Sequence, residues 1–129
     1  MTDPDFFRKR EMLDSGRTPK ESLGRQGEEF LAQGRFDEAL AFFGAAEDDE
    51  GRRRVLEASR SAADVFSFEA ALRATGVTSS KEEWDDVGER ALAKGFLWFA
   101  YRAFEKSENQ GGLDRVRAAM TGEGISHPE

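Results

Sequence analysis

Sliding the chain along itself by 61 residues lays residues 20–51 over 81–112 without a gap, and this internal duplication constrains the fold more than any other feature. Identical pairs include Gly27 with Gly88, Glu28 with Glu89, Leu31 with Leu92 and Ala32 with Ala93. They continue with Gly34 and Gly95, Ala39 and Ala100, and Phe43 and Phe104. The shared glycines fall at a turn and at a close-packing position, where only small residues fit. A start signal recurs as well: Thr18-Pro19-Lys20-Glu21 in the early copy, Ser79-Ser80-Lys81-Glu82 in the late one. A hydroxyl followed three residues on by Glu reads as a capping box, with Thr18 and Ser79 as the caps.

Strand signals are nearly absent, and apolar residues recur at helical spacing, so the fold class is all-α. Asp3-Pro4 predicts a short helix through about Leu13, ended by Ser15-Gly16. A second helix runs from Thr18 to about Gln33, where Gly34 stops it, and a third from Phe36 to about Asp48. So tight a turn between them forces antiparallel packing. In the middle of the chain the pattern predicts helices over about 52–62 and 64–75, a hairpin shrunken below the ~34 residues of a full repeat. Leu113, Val116 and Met120 predict a last amphipathic helix over 113–121 that caps the stack, and residues 122–129 are expected to be loose. The predicted organisation is therefore a terminal helix over 1–16 and a repeat domain over 17–112, with hairpins at about 18–50, 52–76 and 80–110, followed by the cap and tail.

This pattern resembles the tetratricopeptide repeat, W-x2-L-G-x2-Y followed by A-x3-F and P. The late copy matches it with Trp84, Gly88, Gly95, Ala100 and Phe104, and the early copy with Leu23, Gly27, Phe30, Gly34, Ala39 and Phe43. Gln26, Ala91, Gly51 and Gly112 depart from it. The resemblance implies antiparallel helical hairpins stacked as a short right-handed superhelix, with terminal helices added. It also implies a concave groove lined by the first helix of each hairpin. Groove positions would be Glu21, Gly24, Glu28, Leu31 and Ala32, and their counterparts Glu82, Asp85, Glu89, Leu92 and Ala93. Relatives that capture a peptide carboxylate present cations there. These acids point either to a basic or amphipathic segment of another protein, with Leu31 and Leu92 as apolar contacts, or to a surface kept soluble by its charge.

Charge and composition narrow the function classes. The net charge of −7 argues against nucleic acid and against anionic membranes as partners. The basic run Arg52-Arg53-Arg54 directly follows Glu47-Asp48-Asp49-Glu50 and reads as a solvated turn with its charges balanced. Eleven Phe, two Trp and one Tyr argue against disorder, and the absence of Cys excludes disulfides and thiolate chemistry. The N-terminus lacks a signal-peptide pattern and no apolar run approaches the ~20 residues of a membrane span, so a cytoplasmic setting is the default expectation.

No cofactor, metal or catalytic site is expected. His127 is the sole histidine and sits in a Gly/Ser/Pro tail, where no general base is preorganised. Asp85, Asp86 and Glu89 cluster on one helix, which reads more readily as a solvated acidic face than as a cation site. The remaining feature is the aromatic run Phe96–Tyr101. Leu97, Ala100 and Phe104 take core positions and leave Trp98 and Phe99 pointing elsewhere. The terminal helix or the Phe6-Phe7 segment is expected to cover them; otherwise they form a homodimer or partner contact. The sequence thus reads as an interaction module, an adaptor or chaperone-like holder of another protein's segment. A self-associating structural protein using Trp98 and Phe99 is the alternative, ahead of a carboxylate enzyme or a divalent-cation binder.

Overall fold

The computed structural model describes residues 6–14, 16 and 18–122. Among these it contains eight α-helices and no strand, so the chain is all-α. In chain order they are α1 (Phe6–Asp14), α2 (Lys20–Ala32), α3 (Phe36–Ala45), α4 (Asp49–Ser61), α5 (Val65–Thr75), α6 (Lys81–Ala93), α7 (Leu97–Ser107) and α8 (Gln110–Gly122). The closest pairs are the hairpins α2–α3, α4–α5 and α6–α7. Even-numbered helices also pack on one another in the order α2, α4, α6, α8, and odd-numbered ones in the order α1, α3, α5, α7. Two layers of helices result, with the apolar stripes facing inward between them.

The duplication extends further than residues 51 and 112. Displaced by 61 residues, the limits of α2 and α4 coincide at both ends with those of α6 and α8. Helix α1 falls on residues 67–75, within α5. The repeated unit is therefore four helices, α1–α4 and then α5–α8. The last helix, expected over residues 113–121, begins at Gln110 because it is the counterpart of α4. The middle hairpin is not shrunken: α4 and α5 have 13 and 11 residues, as do α6 and α7.

One aromatic ring locks each unit. Phe43 of α3 is fully buried between Gly27 of α2 and Gly51 of α4, and Phe104 of α7 between Gly88 of α6 and Gly112 of α8. A Cβ added at Gly27 or Gly88 would stand 2.9 or 2.7 Å from the ring, and one at Gly112 2.5 Å from it; at Gly51 the approach is closer still. Gly51 and Gly112 therefore stand in the first turns of α4 and α8, where glycine costs at most about 1 kcal/mol each in helix propensity. The buried ring contributes roughly 1.5–3 kcal/mol, so the exchange favours packing.

The connections repeat too. Asp48 and Asn109 cap α4 and α8, each accepting from a glycine amide three residues on at 2.9 Å. Glu47 and Glu108 precede them with positive φ, where their carboxylates accept from Lys20 and Lys81. Those hydrogen bonds hold both carboxyls below their ordinary range. Gly34 and Gly95 make the hairpin turns at φ of 73° and 78°, where a Cβ would be strained.

Two expected caps shift. Helix α2 starts after Pro19 with no side-chain cap, so Thr18 and Glu21 form no capping box. In the late copy the box is formed by Ser80 and Glu83 rather than by Ser79 and Glu82: Ser80 Oγ accepts from the Glu83 amide at 3.1 Å and the carboxylate of Glu83 accepts from the Ser80 amide at 3.0 Å. The acidic-basic run around Arg52 is likewise not all turn. Residues 49–54 form the start of α4, where Asp49 and Glu50 pair with Arg52 and Arg53 one turn on.

Three sets of substitutions test these assignments in denaturant melts. Gly51→Ala and Gly112→Ala force a Cβ into a buried ring and should each destabilise by about 1–3 kcal/mol. Gly24→Ala has nothing within 4 Å of the new Cβ and should stabilise by up to about 1 kcal/mol. Ser80→Ala should cost about 1 kcal/mol, whereas Thr18→Ala should change stability by less than about 0.5 kcal/mol.

Candidate protein-interaction surfaces

The even-helix layer carries the acids expected to line a groove, and most of them already hold a cation. Glu28 of α2 receives a forked pair of hydrogen bonds from Arg54 of α4. Glu89 of α6 receives the same from Arg115 of α8, at 2.6 and 2.7 Å. Between these junctions, Arg60 of α4 reaches Asp86 of α6 at 3.1 Å, and Asp86 also accepts from Arg90 at 2.9 Å. Every even-to-even junction is thus bridged by an Arg–carboxylate pair. Asp85 accepts from the side-chain amide of Asn109 at 3.0 Å, and Glu21 pairs with Arg25 at 3.3 Å. Glu82 is exposed. Leu31 and Leu92 are partly buried and pack against the core, which limits what they offer to a ligand.

The acidic cluster accordingly does not converge. Asp85, Asp86 and Glu89 take separate partners, and among the described residues no group of three His, Cys, Asp or Glu side chains is placed to hold a metal ion. His127 lies outside the described residues. Burial pushes the Asp86 carboxyl up, but hydrogen bonds and charge from Arg90 and Arg60 outweigh it and hold the group below its ordinary value. Hydrogen bonds from Arg115 hold Glu89 below its ordinary value, against a smaller effect of burial.

The odd-helix layer has a different surface. Trp98 of α7 and Phe66 of α5 are 66% and 67% exposed, and Phe96 is 44% exposed. Phe99 is half-buried beneath them, edge-on to Phe66 at 5.3 Å and to Phe96 at 6.2 Å. Trp98 stands as a ridge between two hollows. One, of about 340 Å³, is lined by Phe66, Trp98, Phe99, Tyr101, Arg102 and Glu105. The other, of about 320 Å³, is lined by residues 95–99. Helix α8 was expected to help cover Trp98 and leaves it exposed. It reaches only as far as Tyr101, which Arg117 approaches at 3.2 Å from the hydroxyl and 5.6 Å from the ring centre. The side chains of Phe6 and Phe7 lie outside the described residues.

Phe96 belongs to the aromatic run singled out in the sequence, whereas Phe66 is a member of this surface that the sequence reading missed. The signal was present in hairpin register: Val65-Phe66 opens α5 as Leu97-Trp98 opens α7, an apolar residue facing in and an aromatic one facing out. The duplication also supplies an internal control. Arg35, Asp37 and Glu38 occupy the early-copy positions of Phe96, Trp98 and Phe99. There Arg35 stacks on Phe30 at 4.6 Å and bonds Glu38 at 2.8 Å, while Asp37 sits exposed in the first turn of α3. The same scaffold position folds with charge in one copy and exposes aromatic rings in the other.

Comparison with known proteins adds no family: no protein-family model, curated protein or solved structure matches the chain. Among the described residues no helix is long and apolar enough to cross a membrane.

The junction pairs give a pH prediction with a defined sign. Asp86 and Glu89 titrate below their ordinary values of 3.8 and 4.5 in the folded chain. Their contribution to stability is fully present above the unfolded values and is lost as pH falls through the folded ones. Urea midpoints measured from neutral pH down to about pH 3 should therefore fall more steeply for the wild type than for Glu89→Gln. Equal slopes would remove the Arg115–Glu89 bridge from the stability of the array.

Proposed function

We propose that this chain is a tetratricopeptide-like interaction module, a short curved array of helical hairpins whose work is to hold a protein partner rather than to catalyse a reaction. The succession of even-on-even and odd-on-odd helices, with hairpins joined by tight turns, supports that reading of the array. The partner-binding surface is the aromatic face of α5 and α7, and the partner presents apolar or amphipathic surface to it. One observation carries this assignment: Phe96, Trp98 and Phe99 stand where the early copy has Arg35, Asp37 and Glu38. Since charged residues satisfy the fold at those positions, outward rings such as Trp98 are not required by folding, and large exposed aromatics are what protein interfaces select.

A basic segment lying along the even helices, across Glu21, Glu28, Leu31, Glu82, Asp85, Glu89 and Leu92, is the weaker alternative. It would have to displace Arg54 from Glu28 and Arg115 from Glu89, recovering only the difference between two similar ion pairs.

A photo-crosslinking amino acid placed at position 98, and separately at position 28, distinguishes the two faces in cells of the source organism. Protein adducts should form from position 98 and not from position 28. Adducts from position 28 alone would transfer the function to the even-helix face. No adduct from either would end the interaction-module reading.

A further inference from the structure

The exposed face of α7 is a single helical stripe. Trp98, Tyr101, Arg102 and Glu105 follow one another at intervals of three, one and three residues, so all four project from one side of the helix. Along that stripe the chemistry reverses from end to end. The N-terminal end carries a protruding indole, and the C-terminal end carries a carboxylate at the margin of the 340 Å³ hollow. Between them lie a phenol ring and a guanidinium. An indole buried at an interface needs an acceptor for its N–H, and this surface holds such an acceptor on its own far end.

Resting on the aromatic face being the binding surface, we infer that its occupant is a second copy of this chain, joined through antiparallel α7 helices about a twofold axis passing between Tyr101 and Arg102. An isologous contact requires a surface complementary to itself. With the axis there, Trp98 of each protomer faces Glu105 of the other, and Tyr101 of each faces Arg102 of the other. The indole enters the hollow walled by Phe66, Phe99 and Tyr101, and its N–H donates to the Glu105 carboxylate. Arg102 stacks on the opposing phenol, the kind of contact Arg117 already makes with Tyr101 within the chain.

The charges fit this arrangement. Among the described residues Glu105 makes no ion pair within the chain, so it is available as an acceptor. The Arg102 guanidinium is held in place by Glu69, which accepts from its Nε and Nη2 at 3.1 and 3.2 Å; the Glu69 side chain is only 13% exposed and also receives Lys106. The rim therefore combines both signs with little net charge, whereas the chain as a whole carries −7. Two such chains meet here with less like-charge repulsion than their net charge alone would give. A stable interface of this kind covers about 800 Å² on each protomer, more than Trp98 and Phe66 supply alone, so the proposed dimer requires the whole stripe to Glu105 and the first turn of α5. The even-helix layer stays outward on both protomers.

Sedimentation equilibrium of the full chain at about 1 to 500 µM tests the inference, with the monomer at 14.4 kDa as reference. The wild type should approach twice that mass. Trp98→Asp, which installs the residue the early copy carries at this position, should weaken dimerisation by about thirtyfold or more while leaving the thermal melt of the monomer unchanged. Glu105→Gln should weaken it less. A Trp84→Phe variant leaves Trp98 as the sole indole, and its emission should shift to the blue as the dimer forms. A wild type that stays monomeric, with Trp98 open to quencher at every concentration, would overturn the inference. So would a Trp98→Asp dimer as tight as the wild type. The underlying reading fails separately: adducts from position 98 to other proteins but not to itself would keep the binding face and discard the second copy, and no adduct at all would discard both.

Discussion

A phenylalanine ring held between two glycines is the contact on which the architecture depends. Phe43 and Phe104 each sit where three helices meet, and the ring fits because neither flanking helix carries a Cβ at that point. The contact fixes the spacing of an even helix, the odd helix after it and the next even helix at one stroke. The Arg–carboxylate bridges over the even junctions lie at the surface, where such pairs contribute only about 0–1 kcal/mol each. They tune the joints that the rings have already set.

The middle of the array lacks this device and is built differently. Leu72 of α5 has no glycine opposite it, and α5 and α6 are joined by the rings of Phe68 and Trp84, edge-on at 5.1 Å. Large side chains here hold apart what small ones elsewhere draw together. The two four-helix units are continuous through the α4–α5 hairpin and through the packing of α3 with α5 and α4 with α6. Their cores differ for the same reason. Phe30 and Phe42 pack at 5.3 Å in the early unit, where the late unit has Ala91 and Ala103, and Phe99 packs against both hydrophobic clusters, one of which runs across the two units.

Much of this was legible from residues alone. Helices, hairpin turns at Gly34 and Gly95 and the identity of Phe43 and Phe104 follow from periodicity and from glycines that recur at a fixed interval. Gly51 and Gly112 were harder to place, because a glycine near a charged run ordinarily ends a helix, and only a ring pressed against it explains one inside. Cap positions moved by one residue because Ser79 and Ser80 are equivalent as hydroxyls and differ only in backbone geometry. The pairing of Glu28 with Arg54 joins residues on different helices, so no spacing rule reveals it. The outward ring of Phe66 was hidden by a similar limit: exposure belongs to the assembled layer, not to the local pattern.

Three mutually fitted residues also constrain how such a chain changes over time. Enlarging either glycine demands a smaller ring, and a smaller ring leaves a void that neither glycine fills, so every single step out of the arrangement is downhill. Surface positions face no such trap, and the two halves of this molecule differ by an arginine, an aspartate and a glutamate against three aromatic rings while the trio is the same in both. Descendants of the same ancestor should therefore be recognisable by a phenylalanine and its two flanking glycines long after their surfaces have ceased to look alike.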